Sequence, residues 1–400
     1  MTTFQSYDII VSGGGVAGLS AAAAFGSAGF TVLCVDPQPP ITDRNAEGSD
    51  LRTTAILQPG RLLLEEAGLW DRLDAEAMPL DVMRIIDAGG EVAEPRVTKD
   101  FVASEISDQP FGWNLPNWLL RREMVAHLQG METVTFRPGV GTAGVLTRTD
   151  HARVRLSDGT VAQCRMLVAA DGRNSPVRKA LNIPVKTRRY GQKALAFAVT
   201  HPLPHENVST EIHRSGGPFT LVPLPDYEGR PSSAIVWMED GPEAMRLFNL
   251  PEADFEAAMN ERSCQILGPL TLASRRTVWP IISQWADQMY GARTALVAEA
   301  AHVVPPIGAQ GLNMSLADQR CLLDLAKADP ANIGSPQMLQ RYHRRRHPEV
   351  LARVTGIDLL NRTSQLSAQP LRDLRAAGLN ALYSLAPVRK TLMQLGLGMR

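Results

Sequence analysis

The sequence predicts an α/β protein with a Rossmann-like dinucleotide-binding domain, an inserted and mostly antiparallel β-sheet domain, and helices at the C-terminal end. Three observations predict this fold class. The chain begins with a strand, a glycine-rich turn, a helix and a second strand; its middle alternates apolar strands with turns; its last part carries leucines at helical spacing. A length of 400 residues allows two or three domains.

The first unit is YDIIVSGGGVAGLSAAAAFGSAGFTVLCVDPQ, in which Gly13, Gly15 and Gly18 have Gly-x-Gly-x-x-Gly spacing. Gly13 permits a tight turn, Gly15 lets a pyrophosphate approach the backbone, and Gly18 lets the helix pack closely. The amide groups at the helix start are donors for phosphate oxygens. Asp36 ends the second strand, where a carboxylate can accept a hydrogen bond from a ribose 2'-hydroxyl. The pattern occurs once, so we expect one tightly held dinucleotide.

Two arginines accompany the next predicted helices. Arg52 stands before the helix in DLRTTAILQPGRLLLEEAGLWDRL, and Arg121 lies in WLLRREMVAHL, next to Arg122. Each is either a solvated surface charge or a side chain that turns toward the phosphates of the dinucleotide. The spacing alone leaves both interpretations open.

A third segment, ARVRLSDGTVAQCRMLVAADGRNSPVRKAL, predicts a hairpin, a buried strand that stops at Asp171-Gly172, and a helix capped by Ser175. An aspartate at the carboxyl end of a parallel strand lies where open α/β sheets bind their ligands. We therefore expect Asp171 at the same site as the glycine turn.

The sequence pattern changes in residues 184–279, where strand-like segments alternate with turns rich in Gly, Pro and His. This pattern predicts an antiparallel sheet that forms a second domain. Its apolar side chains offer walls for a substrate, and the candidates are Phe197, Leu221, Pro223 and Trp237. No arginine–tyrosine clamp for a small carboxylate is apparent.

The composition excludes several classes of function. A formal net charge of +0 and a pI near 7.1 give no basic field for nucleic acid. The four cysteines form no Cys-x-x-Cys pair, so neither a metal site nor a disulfide framework is expected. Few residues precede the first strand, and no apolar run is long enough to span a bilayer. We expect a cytoplasmic protein, with a peripheral position on the inner face of the membrane as the alternative.

With these segments in family order, the chain resembles the FAD-dependent aromatic hydroxylases of the p-hydroxybenzoate hydroxylase fold. The motifs are GGGVAG, DLRTTAI, VAADGRNSPVR and AEAAHVVPPIGAQGLNMSLAD. The resemblance covers nearly the whole chain and is closest to the ubiquinone-biosynthesis branch (2-octaprenyl-6-methoxyphenol hydroxylase-like). It implies a discontinuous FAD-binding domain (1–78, 104–183 and 276–335), a substrate domain (79–103 and 184–275) and a C-terminal helical region (336–400).

The resemblance also implies roles for individual residues. The loop from Pro306 to Asn313 would lie against the flavin ring, and Glu299 would take the position of an aspartate that binds the ribityl chain. The residues implied to bind FAD are Gly13, Gly15, Val16, Ala17, Gly18, Asp36, Arg52, Arg121, Asp171, Gly172, Glu299, Pro306, Gly311, Leu312 and Asn313. Those implied to surround the reacting ring of the flavin are Pro306, Gly311, Leu312 and Asn313.

The activity implied is hydroxylation of a phenolic ring through a flavin C4a-hydroperoxide, with NAD(P)H as transient reductant and O2 as oxidant. The cofactor carries the hard chemistry, which accounts for the lack of an acid–base dyad in the sequence. A prenylated ubiquinone precursor is the expected substrate, with contact to the membrane or to a quinone-biosynthesis complex. A hydroxylase of small soluble aromatics, a prenyl reductase of similar fold and an inactive FAD-binding assembly subunit stay open as alternatives.

One departure from the family pattern stands out. Ala298-Glu299 replaces an expected Gly-Asp, and Gly308-Ala309 replaces Ala-Gly in the following loop. Glutamate keeps the charge of aspartate, but alanine fits only if its φ is negative, because a β-carbon penalises the left-handed region. We therefore expect a negative φ at Ala298 and intact FAD binding. The basic, leucine-rich tail (371–400) is either a helix packed on the FAD domain or an interfacial helix.

Overall fold

The computed structural model describes residues 5–214, 216–366 and 368–398. The first four and last two residues of the predicted domains lie outside this range. The strands are, in chain order, β1 (Gln5–Ser12), β2 (Val32–Asp36), β3 (Thr53–Leu57), β4 (Met78–Leu80), β5 (Val82–Asp87), β6 (Val97–Val102), β7 (Gly112–Pro116), β8 (Val134–Pro138), β9 (Thr142–Thr147), β10 (Ala152–Leu156), β11 (Val161–Ala169), β12 (Val185–Thr200), β13 (Val208–His213), β14 (Pro218–Tyr227), β15 (Arg230–Asp240), β16 (Thr271–Leu272), β17 (Thr277–Ala286), β18 (Tyr290–Gly291), β19 (Thr294–Leu296) and β20 (His302–Val303).

The helices surround three sheets. They are, in chain order, α1 (Val16–Ser27), α2 (Gln58–Glu66), α3 (Asn117–Gln129), α4 (Pro176–Ala180), α5 (Gly241–Phe248), α6 (Glu252–Arg262), α7 (Gln310–Ala328), α8 (Pro336–Ser364), α9 (Gln369–Ser384) and α10 (Ala386–Leu397). A single 3-10 turn, Ala298–Ala300, lies between β19 and β20.

The first sheet has the order β18-β19-β11-β1-β2-β8, with parallel pairing from β19 to β8 and the β9–β10 hairpin attached to β11. Ile10 of β1 lies opposite Leu167 of β11 and Leu33 of β2, and all three are fully buried. These strands read as continuous apolar runs because both faces of a parallel sheet are covered. The predicted Rossmann-like unit and the predicted hairpin are both present.

The second sheet has the order β20-β17-β12-β15-β14-β13-β5-β6 and is antiparallel except between β13 and β5. Helices α5 and α6 cover one of its faces, where Phe197, Trp237 and Phe255 form a buried aromatic cluster. The predicted domain boundary placed β17 with the first domain, whereas this strand pairs with β12 along most of its length. A small third sheet, β3-β7-β4, joins the two larger ones.

The C-terminal helices are attached to both parts of the chain. Tyr342 of α8 is fully buried, and its hydroxyl donates to the carbonyl of Leu296 at 2.7 Å. Helix α9 packs on the β5–β6 hairpin of the second sheet, where the rings of Phe101 and Tyr383 lie 5.5 Å apart. Helix α10 contacts the predicted FAD domain at two places, because Arg389 binds Glu105 at 2.6 Å and the carbonyl of Gly396 accepts a hydrogen bond from Gln310 of α7.

Candidate functional site

The glycine turn between β1 and α1 has the geometry that the sequence predicts. Gly13 has a φ of +121°, and a β-carbon there would lie 2.3 Å from the carbonyl oxygen of Ala170. A β-carbon on Gly18 would lie 1.8 Å from the carbonyl oxygen of Gly13, so the helix can approach only without one. At Gly15 no atom lies within 4 Å of that position. The turn therefore leaves open space in front of α1, at the place where a phosphate would approach.

The start of α1 is free to donate hydrogen bonds to a ligand. Val16 and Ala17 begin the helix, and no side chain caps it at Gly15. The first amide groups of a helix have no intrahelical partner and carry its positive dipole end. Asp36 lies beside this turn, because its carboxylate accepts from the amide of Gly14 at 2.5 Å. The acceptor expected for a ribose hydroxyl is thus tied directly to the glycine turn.

Arg52 and Arg121 converge on one carboxylate, that of Asp50. Arg52 binds it through two nitrogens at 2.7 Å each, and the guanidinium of Arg121 lies 3.5 Å away. Burial raises the pKa of Asp50, but the hydrogen bonds and charge of Arg52 and the charge of Arg121 outweigh it and hold the pKa below the usual value. Arg52 also lies over the ring of Trp279, 5.3 Å from its centroid. The two arginines are therefore paired with one carboxylate, while 40% of the Arg52 side chain and 23% of the Arg121 side chain stay exposed.

Asp50 was not predicted as a site residue, although the sequence carries a signal for it. Its carboxylate accepts from the amide of Arg52 at 3.2 Å, which is the side-chain-to-backbone turn that Asp makes two residues before its partner. Asn117 at the start of α3 also donates to it at 3.1 Å. An aspartate two residues before a candidate ligand arginine could have been recognised as its partner.

Asp171 follows β11 and faces the same region with one free oxygen. Its Oδ2 accepts from the amide of Val177 at 3.1 Å, while its buried Oδ1 has no hydrogen-bond partner among the described residues. Burial raises the pKa of this carboxyl. Gly172 has a φ of +82°, and Ser175 caps α4 as predicted, through its Oγ and the amide of Arg178. A buried acceptor without a partner is the group that a polar ligand would satisfy.

The expectation of a negative φ at Ala298 is wrong. Ala298 has a φ of +54°, in the left-handed region that penalises a β-carbon by about 1–2 kcal/mol. Buried contacts after Ala298 help to fix the turn in this conformation. Arg178 donates to the carbonyl of Ala300 at 2.8 Å, and Nε2 of His302 lies 2.6 Å from the carboxylate of Asp318.

Glu299 lies at the tip of this turn, between two arginines. Its carboxylate is 3.6 Å from Arg173, and its side chain is about half exposed. The pKa of Arg52 is raised chiefly by its hydrogen bond to Asp50, and the charge of Glu299 adds to this effect. The longer side chain therefore points its oxygens into the space between the Arg52 and Arg173 loops, where the ribityl contact is expected.

The loop before α7 is also held in a left-handed conformation at an alanine. Ala309 has a φ of +55° and precedes the first residue of α7. Asn313 fixes this start: its Oδ1 accepts from the amide of Leu57 at 2.9 Å, and its Nδ2 donates to the carbonyls of Ala55 and Ala309 at 2.7 Å. A β-carbon on Gly311 would meet no atom within 4 Å. Pro306 is exposed in the loop, and Leu312 packs at the edge of the first core.

Three of the four candidate substrate residues lie on the face of the second sheet that α5 and α6 cover. Phe197, Leu221 and Trp237 are at most 3% exposed and face α5 and α6. The carbonyl of Pro223 accepts from Asn114 of β7 instead. Side chains of a strand alternate between faces, so choosing apolar residues alone cannot say which face meets the ligand.

The opposite face of the second sheet meets the loop before α7. There Ile307 packs with Ala194, Met238, Ile281 and Ile357, and Tyr190, Val236, Trp279 and Val304 pack around them. These residues form the apolar wall closest to the predicted flavin-ring segment. Among the described residues, no group of three or more His, Cys, Asp or Glu side chains is placed to hold a metal ion.

These features fit an adenine dinucleotide whose flavin end reaches α7. The open Gly15 turn would hold the pyrophosphate, Asp36 the ribose, and the start of α7 the flavin ring. A family model of the FAD-binding domain matches residues 6–356 of the chain. The chain belongs to this FAD-binding family. FAD is therefore its cofactor, as the sequence predicts.

Full-length relatives agree with this assignment. Ubiquinone hydroxylase UbiL of Rhodospirillum rubrum is 29% identical over 394 residues, which cover 98% of this chain and 89% of the relative. The 3-demethoxyubiquinol 3-hydroxylase of Escherichia coli K12 is 26% identical over 403 residues, which cover 99% of this chain and 100% of the relative. The predicted resemblance to the ubiquinone-biosynthesis branch is confirmed.

Solved structures show the same fold. The p-nitrophenol 4-monooxygenase PnpA of Pseudomonas putida DLL-E4 has a TM-score of 0.79 at 18% identity, over 99% of this chain and 100% of that one. Pseudomonas aeruginosa PqsL, in complex with 2-aminobenzoylacetate, has a TM-score of 0.77 at 22% identity, over 92% of this chain and 99% of that one. The predicted fold class is confirmed, and the predicted enzyme class, a flavoprotein monooxygenase, is confirmed at the level of the family.

Proposed function

We propose that this chain is an FAD-dependent monooxygenase that hydroxylates a prenylated phenol, a precursor of ubiquinone, with NAD(P)H as reductant and O2 as oxidant. The observation that carries the proposal is the match over essentially the whole chain to relatives named as ubiquinone hydroxylases. The open glycine turn and the α7 start support it, because the turn would hold the pyrophosphate and the α7 start would meet the flavin ring. FAD supplies the redox chemistry and the activation of oxygen when bound.

The protein's own groups hold and orient the reactants. The amides of Gln310 to Leu312 open α7, and their dipole end favours negative charge on a ring placed against them. Asn313 fixes the position of that helix start against β3. Arg52 and Arg121, which bind Asp50, would put positive charge beside the phosphates. The oxygens of Glu299 and Asp171 would accept hydrogen bonds from the hydroxyls of the cofactor.

The wall formed by Ile307, Met238 and Ile281 excludes water from the face of the second sheet that meets the loop before α7. Such a dry site protects a reactive oxidant from hydrolysis and proton leakage. An apolar wall also favours an electron-rich ring with a hydrocarbon substituent over a small carboxylate. The prenylated substrate is supported by this wall and by the names of the relatives.

Oxygen uptake and NAD(P)H oxidation by the purified flavoprotein test the proposal. We expect both to rise when a prenylated phenol is added, with a hydroxylated product of one added oxygen. Turnover of water-soluble phenols alone would favour a hydroxylase of small aromatics. Loss of a double bond without oxygen uptake would identify a prenyl reductase. Bound FAD that never oxidises NAD(P)H with any phenol would identify an assembly subunit. Each of these three outcomes contradicts the proposal.

The proposed substrate requires access to a membrane, because a long prenyl chain partitions into lipid. No helix among the described residues is long and apolar enough to cross a bilayer. We therefore propose a peripheral contact, with the inner face of the membrane or with a quinone-biosynthesis complex. Deletion of the gene, followed by identification of the quinone precursor that accumulates, tests the pathway. Normal quinone and precursor levels would contradict it.

A further inference from the structure

The α9–α10 hairpin exposes an unusual number of large apolar side chains. Thirteen large apolar residues are exposed in the described chain, and seven of them lie in this hairpin. They are Leu371, Leu374, Leu382, Leu385, Val388, Leu392 and Leu395. Leu359 and Leu360, near the end of α8, are exposed as well. Monomeric proteins rarely expose contiguous apolar patches of this kind unless the patch meets a partner or a membrane.

The hairpin is attached to the rest of the protein through charged groups. Arg375 of α9 binds Asp87 of β5 at 2.8 Å, and the aspartate is only 1% exposed. Asp373 binds Arg96 at 2.6 Å. In α10, Arg389 binds Glu105 at 2.6 Å.

The outward side of the hairpin is unusually apolar. A surface helix of a globular protein normally turns its apolar stripe inward and its charges outward. Here the Arg375–Asp87 and Arg389–Glu105 pairs lie on the inward side beside a few buried apolar residues, and seven large apolar side chains lie on the outward side. The outward side is therefore suited to an apolar environment rather than to water.

Three arginines on α8 carry positive charge, and one of them, Arg345, reaches the end of α10. Arg341, Arg344 and Arg345 of α8 are exposed and have no ion-pair partner among the described residues. Arg345 and Leu397 line the same cleft, which has a volume of about 550 Å³. Basic side chains beside an apolar patch complement a surface of anionic lipid headgroups.

The end of the hairpin also contacts the start of α7, directly after the loop that is expected to lie against the flavin ring. Gln310 begins α7 and donates to the carbonyl of Gly396 at 3.0 Å, while Arg353 of α8 donates to Oε1 of Gln310. Leu397 and Asn313 line the cleft described above. The C-terminal end of the hairpin thus contacts the start of α7, next to the loop that is expected to lie against the flavin ring.

We propose that the α9–α10 hairpin docks this protein on an anionic bilayer surface, with its leucines at the acyl boundary and the α8 arginines at the headgroups. The proposal rests on the proposed function, because a prenylated phenol would then enter from the lipid beside the flavin loop. Docking of this kind lays helices in the plane of the membrane and needs no spanning segment.

Flotation with vesicles of equal phosphatidylcholine and phosphatidylglycerol tests the docking without any substrate. We expect the FAD-loaded protein to float with these vesicles in low salt and less in high salt. The variant Leu374→Glu with Leu395→Glu should bind about tenfold more weakly or worse, because it places charge at the acyl boundary. Replacing Arg341, Arg344 and Arg345 with Gln should weaken binding about fivefold per arginine, and only for anionic vesicles.

A matched control is Leu146→Glu with Leu203→Glu, because these leucines are also about half exposed but lie outside the hairpin. We expect this control to float like the unmodified protein. Retained FAD absorbance and unchanged turnover of a water-soluble phenol show that each variant is folded. Failure of the unmodified protein to float, or equal binding by both leucine variants, would overturn the docking. So would a dimer that only the hairpin variant dissociates, since the surface would then join two copies. None of these readouts depends on which phenol is the substrate.

Discussion

Asp318 is the central group of a buried charge chain, and its replacement gives the sharpest test of how the site is held. Its side chain is fully buried on α7, with His302 at 2.6 Å on one oxygen and Arg346 of α8 at 2.8 Å on the other. These ion pairs link the end of the Glu299 turn to α7 and α8. We predict that Asp318→Asn destabilises the protein strongly and loosens FAD.

The expected loss of folding free energy depends on which partners Arg346 keeps in the variant. Removing one partner of a buried ion pair costs about 3–5 kcal/mol, because it leaves a charge without compensation. In the variant, Arg346 keeps the carboxylate of Glu349 at 2.5 Å. Asparagine can still accept one hydrogen bond. The loss should therefore lie near the lower end, about 3 kcal/mol, which is a large share of a typical folding free energy of about 5–15 kcal/mol.

The assay is urea denaturation followed by circular dichroism and by flavin fluorescence. The matched control is Asp324→Asn on the same helix, whose side chain is 53% exposed and lies 3.6 Å from Arg320. A surface pair of this kind contributes about 0–1 kcal/mol. Equal unfolding midpoints for the two variants would refute the reasoning, because a buried ion pair would then contribute no more to stability than an exposed one.

The pH dependence of the same variant has a definite sign. Burial raises the pKa of Asp318, but the charges of His302 and Arg346 outweigh burial and lower the pKa below 3.8. A carboxyl with a lowered pKa stabilises the folded state above its unfolded value and loses that contribution as the pH falls through its folded value. The stability difference between the unmodified protein and Asp318→Asn should therefore persist from neutral pH down to about 3.8 and shrink only below it.

Three further predictions concern the cofactor site and one buried acid. Gly15→Ala should fold normally but retain less FAD, as measured by flavin absorbance, whereas Gly18→Ala should fail to fold because of its 1.8 Å clash. Glu299→Ala should weaken FAD binding by about 1.5–3 kcal/mol, measured by equilibrium titration, and unchanged affinity would remove Glu299 from the ribityl contact. Burial raises the pKa of Glu239 to about 7, so the folded state loses stability as the pH rises from about 4.5 to 7. The Glu239→Gln variant should not show this loss of stability. Urea denaturation midpoints measured across this pH range test the prediction.

The glycine turn could be predicted because its requirements are local. A β-carbon at Gly13 or Gly18 collides with backbone atoms only a few residues away or on the adjacent strand, so the spacing alone specifies the turn. The cap at Ser175 is local in the same sense. Asp50 was missed although its contact with Arg52 is just as local. There the signal was present in the sequence, but the aspartate was not considered as a partner.

The apolar cluster around Ile307 could not be predicted, because it depends on which sheet face meets which helix. Phe197 and Ala194 lie on the same strand, yet one packs on Phe255 of α6 and the other in the cluster with Ile307. The larger side chain attracts attention in a sequence, but the alternation of a strand sends it to the closed core. The smaller residue faces the other way and packs against the loop before α7.

The positive φ at Ala298 shows how long-range contacts can override a local preference. An isolated alanine avoids this conformation, so the local rule gave a negative φ. In the structure, Tyr342 holds the carbonyl of Leu296 before the turn, and Arg178 and the His302–Asp318 pair hold the residues after it. Three buried polar contacts together outweigh a strain of about 1–2 kcal/mol, because each would leave a buried group unsatisfied if the turn relaxed. The same contacts keep Glu299 at the tip, so the strain and the position of the carboxylate have one cause.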